Sequence, residues 1–152
     1  MRRDESPSRM TSMERNPGVL FFYLEWADEM NARWQVAGAA DTLGTMYMRT
    51  WLGALYAVVE GWNRLGLEHP LVTRLLGMTT GRKFKPKREP ERNETFVDLL
   101  YGVRNAVFHF SWKHNPPQIA TFFETPGALT WANNLHGSFR AFFDQLLREN
   151  KE

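Results

Sequence analysis

Apolar side chains return every three or four positions along four separate stretches of this chain, and that rhythm limits it to a helical fold. From position 17 to about 40, Leu20, Phe21, Leu24, Ala27, Met30 and Trp34 share one face. From about 44 to 65, Trp51, Leu52, Leu55, Val58, Val59 and Trp62 do the same. Asp41 or Thr42 can cap the start of that helix, and Gly66 can stop it. A third stretch, about 93–112, carries Phe96, Leu99, Leu100, Val103, Val107 and Phe110, with Asn93 as the expected N-cap. The last, about 128–149, carries Leu129, Ala132, Leu135, Phe139, Phe142, Phe143 and Leu146. A short helix fits 69–77. Nothing alternates for long enough to read as a strand. The expectation is an all-α chain, an antiparallel bundle of four or five helices.

Two stretches interrupt the rhythm. Thr79 to Arg92 contains Gly81, Pro86 and Pro90 and reads as a loop. Its Arg82, Lys83, Lys85, Lys87, Arg88 and Arg92 form either a phosphate-tracking arm or a solvated loop diluted by Glu89 and Glu91. The stretch 113–127, with Pro116, Pro117 and Pro126, reads as a second loop holding an extended piece at 119–123. At 152 residues the chain suits one domain, placed at 17–150 behind a flexible segment at 1–16. That segment lacks the apolar centre of a signal peptide, and no run approaches the ~20 apolar residues of a membrane span. A cytoplasmic protein with no membrane partner is expected. A net charge of +2 neither demands nor forbids a nucleic-acid partner.

The third helix carries the chemistry. At about 100° per residue, its apolar stripe centres roughly 270° from Arg104. Asp98, Gly102, Asn105 and His109 gather on the side away from the core, with Tyr101 and Phe108 between that line and Arg104. Arg keeps its charge and offers a planar fork matched to phosphate oxygens, while His exchanges a proton near neutrality. A phosphate clamp beside a general base is what in-line RNA cleavage needs, without a metal. The plainer alternative is a snorkelling Arg and a His at a helix C-terminus.

The spelling Arg104-Asn105-Ala106-Val107-Phe108-His109 resembles the R-N-x-x-x-H signature of the HEPN superfamily (higher eukaryotes and prokaryotes nucleotide-binding domains). Its place late in an amphipathic helix, in the C-terminal half of a small helical chain, is similar too. The run at 51–62, Trp-Leu-Gly-Ala-Leu-Tyr-Ala-Val-Val-Glu-Gly-Trp, looks like the preceding long helix of small bacterial HEPN proteins. Together the likeness spans about 17–150. It implies a HEPN-like bundle and a metal-independent endoribonuclease that leaves 2′,3′-cyclic phosphate ends. By the same likeness, His109 is general base or proton donor, Arg104 holds the scissile phosphate, and Asn105 orients one of them. It further implies a homodimer whose two motifs face each other, and a setting in a toxin–antitoxin pair or antiviral defence, with an antitoxin as a possible partner. Arg104 and His109 lie about 140° apart on one helix, an arrangement that a two-fold partner could complete.

Around the motif, Tyr101 and Phe108 are candidate base-stacking or interface residues, and Lys113 is a candidate phosphate contact. Glu60 either holds Arg104 in place or pairs with Arg64 four residues on. His69, His114 and His136 make no ligand pair, and no phosphate loop or nucleophilic cysteine is present, so neither metal nor cofactor is expected. The alternative function is a non-catalytic HEPN-like bundle that binds RNA or nucleotide, or acts as a dimeric interaction protein.

Overall fold

The computed structural model describes residues 17–84, 91–108 and 117–151. Helices dominate these residues, with one small two-stranded sheet. In order they are α1 (Pro17–Ala37), α2 (Thr42–Leu65), α3 (Pro70–Leu76), β1 (Thr79–Phe84), β2 (Arg92–Thr95), α4 (Phe96–Phe108), α5 (Pro117–Glu124) and α6 (Ala128–Glu149).

Helices α1, α2 and α6 lie where the apolar period places them, whereas α4 begins at Phe96 rather than at about 93. Asp41 caps α2, its side chain accepting from the Leu43 amide at 2.8 Å. Gly66 ends it in the left-handed conformation, at φ 64°. There a side chain would be strained, which is why glycine stops this helix. All six residues of the expected α2 stripe are buried, as are Leu20, Leu24 and Ala27 of α1. Ala132, Leu135, Phe139 and Phe143 of α6 close the core. Helix α2 is the centre of the bundle, touching α1 along its length and α4 on another side.

A polar network runs through this core. The Trp51 indole donates to Nδ1 of His136 at 2.8 Å, and Nε2 of His136 meets the Asp28 carboxylate at 2.5 Å. An indole N–H can only donate, so Nδ1 must accept, which puts the ring proton on Nε2. Arg140 holds the other Asp28 oxygen at 2.7 Å and reaches Asp144 at 3.2 Å. Helices α1, α2 and α6 are thereby pinned to one another. His136 is a structural residue of the core.

Both expected loops need correction. The loop expected at 79–92 contains an antiparallel hairpin pairing Thr79 with Thr95 and Phe84 with Arg92. Threonines and Phe84 suit strands, and Gly81, at φ 76°, lies inside the register irregularity between Thr79 and Lys83. The prolines at 86 and 90 fall between the strands in sequence. The extended piece expected at 119–123 is part of α5. Pro117 occupies its first turn, where a missing N–H costs nothing, and Ile119 and Phe122 bury one face.

Candidate functional site

Helix α4 starts where a reciprocal cap fixes it. Oγ1 of Thr95 accepts from the Asp98 amide at 3.1 Å, and the Asp98 carboxylate accepts from the Thr95 amide at 2.9 Å. This is a capping box with Asp in the third position. It replaces Asn93, the expected cap, which lies in β2. The Phe96 ring then stacks on Trp131 of α6 at 5.4 Å between centroids. With Phe96, Leu99, Leu100 and Val103 buried, the rotation of α4 about its axis is set.

That rotation presents Arg104 to the side of α2. Its guanidinium carbon lies 6.0 Å from the centre of the Tyr56 ring, and Nη1 donates to the Asn105 amide oxygen at 2.9 Å. The Tyr101 ring packs on Tyr56 at 5.3 Å. Burial raises the Tyr56 phenol above its usual value, with Glu60 and Tyr101 adding to the rise and Arg104 opposing it. None of the described ion pairs includes Arg104. A fixed cation outside the described ion pairs can bind an anion.

Glu60 takes the second of its two expected roles: its carboxylate meets Arg64 at 3.5 Å. Tyr101 and Phe108 are each 48% exposed, which leaves half of each ring free to stack. Phe108 is nonetheless seated, because its ring fills the space a side chain at Gly53 would occupy. His109, Lys113 and His114 lie outside the described residues.

The polar side of α4 is less open than the helical wheel implies. Gln118 of α5 packs on Gly102, and a cleft of about 210 Å³ beside it is lined by Glu94, Asp98, Leu99, Gly102, Gln118 and Thr121. Burial raises the Glu94 carboxyl, against the pull of Arg82. Part of the basic stretch is likewise engaged within the fold. Arg82 bonds Thr125 at 3.2 Å and meets Glu94 at 3.5 Å, and Lys83 meets Glu91 at 3.5 Å. The Arg92 guanidinium lies over Phe84 at 5.6 Å. Residues 85–90, with the remaining cations, are outside the described set.

Sequence reasoning missed Tyr56, the shelf for Arg104. Its only signal was its place one turn before Glu60 on the line through Gly53. No family model matches the chain, and no curated protein or solved structure matches it. Among the described residues no helix is long and apolar enough to cross a membrane, and no cluster of side chains could hold a metal ion.

Proposed function

We propose that this protein is a metal-independent endoribonuclease of HEPN type, acting on RNA through Arg104, Asn105 and His109. The observation that carries the proposal is the state of Arg104: partly exposed, oriented by Asn105 and Tyr56, and outside every described ion pair. A guanidinium held in this way can stabilise the charge that gathers on a phosphorane without reorganising during the reaction. His109, next in sequence after α4, supplies the titratable group. One group removes the proton of a ribose 2′-OH, and the 2′-oxygen attacks the adjacent phosphorus. The 5′-oxygen leaves and takes up a proton, so the products carry a 2′,3′-cyclic phosphate and a 5′-OH.

Two proton transfers on opposite sides of the phosphorus call for two groups. A homodimer in which each chain contributes a motif meets that need, and the half-exposed Tyr101 and Phe108 are suited to a contact with RNA or a second chain. A toxin under the control of an antitoxin, or an effector of antiviral defence, is the biological role such an activity would serve.

Controlled expression in a bacterial host tests this role. Growth arrest with fragmented RNA is expected from the wild type and from neither Arg104→Ala nor His109→Ala. Arrest by a folded His109→Ala protein would overturn the catalytic assignment. Growth unaffected by the wild type would favour a binding or interaction protein.

A further inference from the structure

Positions 49, 53, 56 and 60 of α2 recur at four, three and four residues, so they form one line along the helix. Two members of that line touch α4: Gly53 meets Phe108, and Tyr56 meets Tyr101 and Arg104. The residue numbers rise along α2 as they fall along α4, so the two helices run antiparallel here. Arg49 is therefore the member of the line at the C-terminal end of α4, one turn beyond the seat of Phe108.

Arg49 is half-buried, its Nε is buried without a hydrogen-bond partner among the described residues, and none of the described ion pairs includes it. A guanidinium keeps its charge at every relevant pH, and its terminal donors can hold a phosphate oxygen. Seven residues separate Arg49 from Tyr56, the shelf of Arg104, which is about 10 Å along the helix axis. The ring of Phe108, seated on Gly53, lies between the two cations along this line, and Phe108 is 48% exposed. Cation, ring, cation along one face is the order in which a single strand offers phosphate, base, phosphate.

We infer that Arg49 forms a second phosphate subsite, on a different helix from the motif, and that the face between α2 and α4 takes a single-stranded RNA running from Arg104 past Phe108 to Arg49. The inference rests on the proposal that Arg104 binds RNA and adds the strand's path and its second anchor. A duplex does not suit this face, because its bases are stacked on one another and unavailable to the Phe108 ring. Selection is thus for unpaired RNA, with the strand's backbone rather than its base edges held at both ends.

The test uses a fluorescent 2′-O-methyl oligoribonucleotide, which cannot be cleaved at the 2′-oxygen, and reads binding by anisotropy across a salt series. Arg49→Ala is expected to weaken binding several-fold and to flatten the slope of log affinity against log salt by about 0.7, the share of one phosphate on a single strand. Arg49→Lys should restore most of both, and Arg64→Ala, which removes a cation already paired with Glu60, should change neither. Should Arg49→Ala melt early, Arg49→Gln keeps the stem and repeats the measurement with the charge removed. Unchanged affinity and slope in the Arg49 variants, beside weakened binding in Arg104→Ala, would overturn the second subsite and leave the RNA proposal standing. A wild type that binds no oligonucleotide would overturn both.

Discussion

Arg104 and Tyr56 meet across two helices, the guanidinium 6.0 Å from the ring centre, and this contact determines where the fixed cation of the motif points. A cation over a partly exposed ring gains about 0.5–1 kcal/mol. That is enough to bias a long side chain and too little to satisfy its charge. The Asn105 amide, at 2.9 Å, fixes one donor and leaves others for a ligand.

The same contact has a readable proton. Burial, with Glu60 and Tyr101, raises the Tyr56 phenol above 10.0, and Arg104 pulls the other way. Arg104→Ala is expected to move the Tyr56 titration further up, read as tyrosinate absorbance after subtracting a Tyr56→Phe protein. The native phenol holds its proton after the unfolded one has lost it, so stability should fall as pH climbs above 10.0. A downward move in Arg104→Ala would show that the guanidinium does not sit on this ring.

Gly53→Ala separates site geometry from stability. The added Cβ would stand 2.8 Å from Cε2 of Phe108, so the ring must move. Because the ring is half-exposed it can do so cheaply, and alanine favours a helix by about 1 kcal/mol. Thermal unfolding should change by less than about 1 kcal/mol, while RNA binding falls as far as in Phe108→Ala. Undiminished binding in Gly53→Ala would remove Phe108 from the RNA face.

The capping box sets the start of α4. Thr95→Ala and Asp98→Ala should each cost about 1 kcal/mol, a Tm drop of about 2–4 °C for a chain of this size. Either loss is read by calorimetry. Because the two residues cap each other, the double variant should lose less than the sum. Full additivity would mean the two bonds act independently.

His136→Ala removes the acceptor for the Trp51 indole and one partner of Asp28. Leaving a buried donor unpaired, together with the cavity, should cost about 3–5 kcal/mol in denaturant unfolding. A cost below about 1 kcal/mol would mean that water or another side chain replaces the imidazole.

The long helices were legible because each buries a stripe at regular spacing, and the bounds of α2 follow from Asp41 and Gly66. The hairpin was not, since Gly81 and the prolines at 86 and 90 carry loop signals, while the strand residues are few and interrupted by the register irregularity. Helix α5 was hidden because Ile119, Phe122 and Phe123 favour strands locally, and burial against the bundle overrides that preference. At the site, the wheel placed Arg104 beside the core stripe. It could not supply Tyr56, which arrives from another helix, or Gln118, which covers Gly102. The role of His136 was illegible for the same reason: its partners Trp51 and Asp28 are 85 and 108 residues away.

The most direct test is incubation of the purified wild-type protein with a mixed pool of single-stranded RNA in excess EDTA, with the fragment ends identified. Cleavage leaving 2′,3′-cyclic phosphate and 5′-OH ends is expected, slowed about 10²–10³-fold or more in folded Arg104→Ala and His109→Ala proteins. Cleavage by His109→Ala at the wild-type rate, or no cleavage by the wild type, would contradict the account.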